Sequence, residues 1–195
     1  MNDFDSRQLG EMLNQIIGGR TVSLVGNAAS LLSTNLGEQI DAGCVVRLNS
    51  GIPIRPTAQG RNIDIHCFST RSSLEQNLRK APWRVRLRRR YLNNAFSVWM
   101  SGSERETCTD PQQAFMPLDM REDLLRRFGA NPSVGASTLH MLSELTGAEI
   151  RLFGFDFKET TTFYRRRENR GPHNWEAERD YAMMLCRKGR IQIIR

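Results

Sequence analysis

Of the three histidines in this chain, His173 is the one placed to act on a substrate. It follows the polar, basic stretch 158–172 and precedes a segment from Trp175 with helical periodicity, whose first turn carries Glu178. Imidazole is the side chain best suited to take a proton from a hydroxyl near neutral pH. His66 falls within an apolar strand-like run and His140 within an apolar helical one, so both read as packed or hydrogen-bonded residues. A second set of residues suits an anion. Gly26-Asn27 follows the apolar run Thr21–Val25 and precedes a segment of helical spacing. A helix N-terminus after such a turn presents backbone N–H groups and a favourable dipole to a phosphate. The Asn27 amide adds a neutral donor. Asn49 closes a second apolar run, Ser133 and Gly135 precede a helical stretch, and Asp156 follows another apolar run. Each has a plain alternative: Gly26-Asn27 as an ordinary strand–helix turn, and Asn131-Pro132-Ser133 as a helix start capped by Ser133 or Asn131.

The elements that must position these groups alternate between strand and helix. Leu9, Met12, Leu13, Ile16 and Ile17 mark an amphipathic helix ended by Gly18-Gly19. Strands are expected at Thr21–Val25, Cys44–Leu48, Asp64–Phe68, Ala95–Met100, Glu149–Phe155 and Arg190–Ile194. Helices are expected at Ala28–Ile40, Ser72–Lys80, Leu118–Phe128, Val134–Leu145 and Trp175–Cys186, with 158–172 as a mobile active-site loop. That alternation predicts an α/β protein: a single Rossmann-like domain over 1–195, 1–19 its N-terminal helix, with a mostly parallel sheet and helices on both faces. Ligands of such sheets sit outside the carboxyl ends of the strands. Asn27 and Asn49 should therefore converge on one crevice, with Ser133, Gly135 and Asp156 on the same edge.

Composition narrows the function. A 39% hydrophobic, 25% charged chain describes a globular protein with a core. No apolar run approaches the ~20 residues of a membrane span, and Met1–Asp5 lacks the features of a secretion signal. The cytoplasm is the expected compartment. Cys44, Cys67, Cys108 and Cys186 are scattered, without the pairing of a zinc site, and read as inert thiols. The net charge of +7 is concentrated in Arg84–Arg90 and Arg165–Arg167. Such runs attract phosphates on nucleotides, lipid headgroups or nucleic acid. Nucleic acid is not the expected partner, because the runs lack interleaved aromatics and no recognisable module accompanies them. The dinucleotide fingerprint and the P-loop are both missing after Val25, which argues against an NAD, FAD or Walker-type enzyme.

The ordered set Val25-Gly26-Asn27, Arg47-Leu48-Asn49, Pro132-Ser133-Val134-Gly135, Phe153-Gly154-Phe155 and His173 with Glu178 resembles motifs L, S and VS of the sialyltransferases, glycosyltransferase family 29. The resemblance spans roughly residues 21–194. Gly154-Phe155-Asp156-Phe157, with Tyr164 seven residues on, is also similar to bacterial lipooligosaccharide sialyltransferases, where tyrosines steady the leaving phosphate; the second of these falls on Lys158. The cysteines that join motifs L and S in animal members fall on Val22 and Thr146, which fits a reducing compartment. A motif III histidine has no counterpart; Phe163-Tyr164 is the nearest candidate.

The resemblance implies an inverting, metal-independent transferase without cofactor, moving an acidic sugar of the sialic acid or Kdo type from a CMP-sugar donor to a glycan or glycolipid hydroxyl. His173 would be the base, with Glu178 in support. Tyr164 and Lys158 would stabilise departing CMP, and Gly26, Asn27, Asn49, Ser133, Gly135 and Asp156 would hold the donor. Arg84–Arg90 would allow peripheral contact with anionic membrane at the cytoplasmic face, in a lipopolysaccharide or capsule setting. Asp3-Phe4-Asp5 mimics a metal-binding pair, but its place near the chain start counts against that role. The alternatives are a catalytically inactive CMP-binding relative and a basic nucleic-acid-binding protein.

Overall fold

Strands buried on both faces need apolar side chains at successive positions, and Val22–Val25 (β1) and Cys44–Leu48 (β2) are such runs, buried throughout. They pair in parallel, Val22 opposite Cys44 and Val25 opposite Arg47. Residues 6–80, 95–101, 113–164 and 171–195 are described by the structure, a computed structural model. The remaining strands are β3 (Ile65–Phe68), β4 (Phe96–Trp99), β5 (Gln113–Phe115), β6 (Ile150–Phe153) and β7 (Ile191–Ile194). They form one seven-stranded sheet in the order β5-β4-β3-β2-β1-β6-β7, and every pair is parallel.

Side-chain alternation divides the core in two. Leu24, Val46, Ile65 and Leu152 point to one face. There they meet α1 (Ser6–Ile17), α5 (Leu118–Phe128), α6 (Val134–Leu145) and α7 (Trp175–Arg187) through Leu13, Leu124, Leu142 and Leu185. Val25, Val45 and Phe153 point the other way and pack on Leu31 and Ile40. Parallel sheets covered on both faces bury their strands in this manner. Helix α4 (Arg71–Lys80) follows β3.

One expected helix is not formed as a unit. Over Ala28–Ile40 the chain makes a 3-10 turn, Ala29–Ser33, then the short α2, Gly37–Asp41. The Thr34 hydroxyl donates to the Leu31 carbonyl at 2.8 Å and Thr34 turns extended, because Ser and Thr offer the backbone local bonds that compete with a helix. A Cβ on Gly37 would sit 2.0 Å from the Pro56 carbonyl, so glycine lets α2 pack directly on α3 (Pro56–Gln59). Neither α3 nor β5 is signalled by the sequence, because they span only 4 and 3 residues.

Arg47 lies almost wholly inside, at 1% exposure. Its Nε donates to the Asn62 carbonyl at 2.8 Å and its Nη2 to the Gln59 carbonyl at 2.7 Å, which fastens the 59–62 segment to β2. Burial pulls its guanidinium down to about 10. Cys44 and Cys67 are buried free thiols and Cys186 is half-buried; Cys108, both arginine runs and Asp3-Phe4-Asp5 lie outside the described residues. Among the described residues no helix is long and apolar enough to cross a membrane.

Candidate active site

The chain leaves β1 towards β2 on one side of the sheet and returns as β6 on the other, so the strand order reverses at β1. A crevice opens at such a point, beyond the carboxyl ends of the strands. Here it is a cavity of about 320 Å³, within the range of small-molecule sites. Six segments build its wall: Ser69 and Ser73 line it from the β3–α4 stretch, and the other five carry the candidate residues. Gly26 and Asn27 leave β1, and Asn49 leaves β2. Ser133 and Gly135 open α6, while Asp156, Lys158 and Tyr164 follow β6. His173 and Glu178 come from the start of α7. All ten candidate residues therefore line one cavity, although they are spread over most of the sequence.

Gly26 is set by close backbone approach. A Cβ there would lie 2.3 Å from the Gly154 carbonyl, which cannot swing aside as a side chain would. Gly154 itself has φ +66, where glycine is favoured. Gly26→Ala is therefore expected to destabilise the fold by about 1–3 kcal/mol or more, read by urea unfolding. A variant as stable as the wild type would show that the β1–β6 turns are not in contact.

The Asn27 amide is engaged inside the protein. Its Nδ2 donates to the Leu48 carbonyl at 3.0 Å, with the Tyr164 hydroxyl at 3.5 Å, and the Asn27 backbone carbonyl accepts from Phe163 N at 3.0 Å. An antiparallel bridge, Ala28 to Thr162, holds the same strip of chain. Asn27 thus joins the ends of β1 and β2 to the segment after β6. Asn49 behaves differently: it takes the left-handed conformation, φ 50, and its side-chain amide has no hydrogen-bond partner among the described residues.

Ser133 is the N-cap of α6, accepting from Ala136 N at 3.1 Å. It is also clamped from α7. Glu178 accepts from Ser133 N at 2.7 Å through Oε1 and from Ser133 Oγ at 2.6 Å through Oε2. The carboxyl is 4% exposed; burial raises its pKa, and the two bonds from Ser133 act against that rise. Both its oxygens are occupied by Ser133, so Glu178 positions the α6 start.

His173 is half-buried beside Trp175, ring centroids 5.1 Å apart. Its Nδ1 lies 2.8 Å from the Asn131 carbonyl. A carbonyl only accepts, so Nδ1 carries the proton and Nε2 keeps the lone pair of the neutral ring. Lys158 sits over the Trp175 ring, Nζ 5.1 Å from its centroid. Phe157 and Lys158 are both left-handed, at φ 50 and 73, and Asp156 braces that turn. Its Oδ1 accepts from Lys158 N at 3.2 Å; its Oδ2 accepts from Thr160 N at 3.1 Å, Ser30 Oγ at 3.2 Å and Thr160 Oγ1. The Asp156 carboxylate is a loop brace. Trp175, Phe155 and Phe157 also line the cavity; Phe155 and Phe157 belong to the quoted motifs without being candidate site residues, and an aromatic residue beside a motif position is the signal that could have found all three. Among the described residues no three His, Cys, Asp or Glu side chains group as metal ligands.

The class that this fold and cleft define is a parallel α/β protein of the kind seen in solved sialyltransferases. A mammalian sialyltransferase superposes with a TM-score of 0.62 at 13% identity, over 99% of this chain and 80% of that one. The monofunctional α-2,3-sialyltransferase Cst-I from Campylobacter jejuni gives 0.60 at 14%, over 90% and 75%. CstII from Campylobacter jejuni, in complex with trisaccharide acceptor and CMP, gives 0.61 at 15%, over 89% and 79%. At these identities the likeness is one of fold. No protein-family model and no curated sequence matches the chain.

Proposed function

We propose that this protein is a glycosyltransferase that moves an acidic sugar, of the sialic acid or Kdo type, from CMP to a glycan hydroxyl with inversion and without a metal ion. The observation that carries this reading is the convergence in one cavity of a tautomer-fixed histidine, a capped helix N-terminus and an unpartnered asparagine amide, on a fold shared with proteins that bind CMP. In this scheme His173 Nε2 takes the proton of the acceptor hydroxyl while its oxygen attacks the anomeric carbon. The bond to CMP breaks on the opposite face. Negative charge grows on the departing phosphate, which Lys158 and the Tyr164 hydroxyl, both in the cavity lining, would stabilise. The Asn49 amide and the α6 N-terminus, held by Glu178, orient the donor. Arg84–Arg90 would bring the enzyme to an anionic surface that carries the acceptor.

The expected result is a thermal shift with CMP that exceeds those with UMP, GMP, AMP and NAD. Asn49→Ala should weaken CMP by about 1.5–3 kcal/mol, roughly 10- to 150-fold in Kd. Asn49 is the cleaner probe, because Asn27→Ala also removes the bond to Leu48. Equal affinity in wild type and Asn49→Ala would remove this wall from the donor site. CMP binding without transfer or donor hydrolysis at any pH would instead mark an inactive nucleotide-binding relative.

A further inference from the structure

We propose that His66, which lies outside the cavity, is the residue that presents Asn49 to the ligand; the proposal rests on the donor-site reading above. Asn49 is a non-glycine residue at φ 50, a left-handed conformation that asparagine tolerates better than most L residues and that its neighbours here fasten. Strand β3 supplies the hold. Asn49 N donates to the Cys67 carbonyl at 2.8 Å, and His66 Nε2 lies 2.7 Å from the Asn49 carbonyl. That carbonyl can only accept, so His66 is the Nε2–H tautomer. Both backbone polar groups of Asn49 are thereby tied to β3.

The other flank of the turn is closed as well. Asn27 Nδ2 donates to the Leu48 carbonyl at 3.0 Å, and a Cβ on Gly51 would lie 2.3 Å from Asn27 Oδ1. With its backbone fixed on one side and its neighbours packed on the other, Asn49 is held in the cavity wall. His66 is suited to this role because it is a neutral donor in a dry place. It is 1% exposed, packs against Phe68 with ring centroids 4.9 Å apart, and burial lowers its pKa to about 4. At neutral pH it adds no charge beneath the site. A histidine that were only core filling would need its volume and its ring contact, and no donor.

The test separates donor from filler. His66→Leu removes the Nε2–H donor while keeping an apolar side chain, and His66→Gln restores an N–H donor at similar reach. CMP affinity is measured by calorimetry for wild type, both variants, Asn49→Ala and the His66→Leu/Asn49→Ala pair. His66→Leu is expected to weaken CMP roughly tenfold, the scale of one lost hydrogen bond. His66→Gln should return close to wild type, and the double variant should bind no worse than Asn49→Ala alone, because coupled residues are not additive. Unchanged affinity in a folded His66→Leu, equal losses in both His66 variants, or full additivity would each overturn the proposal. If His66→Leu does not fold, His66→Asn, too short to reach Asn49, takes its place. A readout without ligand separates this inference from the donor-site reading. Carbon chemical shifts of Asn49 should report the left-handed conformation in wild type and His66→Gln and lose it in His66→Leu. Wild type that fails to bind CMP while showing that pattern sinks the donor-site reading and leaves His66 as the residue that holds Asn49. Asn49 shifts identical in all three proteins sink the His66 inference by itself.

Discussion

His173→Ala is expected to lower transfer by about 10²–10⁴-fold, the usual contribution of a positioned base, while leaving CMP affinity nearly intact. The sign of each effect follows from the hydrogen bond at Nδ1. Donation to the Asn131 carbonyl fixes the ring and leaves Nε2 as the acceptor of a proton. A hydroxyl is a poor nucleophile at neutral pH, so loss of that acceptor is felt in turnover and little in nucleotide binding. The measurement is turnover on a verified acceptor, beside calorimetry with CMP. Wild-type turnover in the variant would sink the assignment. Asp156 would be a poor substitute, because both its oxygens accept bonds from its own loop and from Ser30.

The second large effect is on the clamp between α7 and α6. Glu178→Ala should destabilise the protein by about 2–3 kcal/mol, since a buried donor left without a partner costs about 1–3 kcal/mol and Ser133 N and Oγ both donate to this carboxylate. For a chain of 195 residues that is a fall in Tm of roughly 5–10 °C. CMP affinity should drop with it, because the start of α6 loses its anchor. Glu178→Gln, which keeps one acceptor oxygen, should fall between the two. A Glu178→Ala protein with wild-type Tm and CMP affinity would show that Ser133 does not depend on α7.

Much of the scaffold was legible because parallel strands buried on both faces are apolar runs bounded by Gly and Asn turns. Thr21–Val25, Cys44–Leu48 and Asp64–Phe68 stand out for that reason, each within a residue of the observed strand. Ala28–Ile40 misled because helical spacing of Leu31, Leu32, Leu36 and Ile40 registers burial, and a 3-10 turn followed by a short helix can bury a similar set. Strand β5 was too short to leave a period at all.

For the site, residue types, their order along the chain and the family resemblance they carry pick out ten positions that line one cavity, and turn chemistry sets several of them near strand or helix ends. Which group touches which was decided by the tertiary structure. Ser133 and Glu178 are 45 positions apart, and they meet because α6 and α7 pack on the same face of the sheet. Asn27 is bonded to Leu48, and His66 to Asn49, because β1, β2 and β3 are neighbours in register. Local periodicity tells a strand which face to bury; it carries no information on which strand lies beside it. Hydrogen-bond partners are chosen at about 3 Å, a distance set by the packing of elements far apart in the chain. That is why the same sequence marks Asp156, Asn27 and Asn49 alike as polar groups at strand ends, while the folded protein makes the first a loop brace and the second a strut between strands, and leaves the third in the cavity wall with no side-chain partner among the described residues.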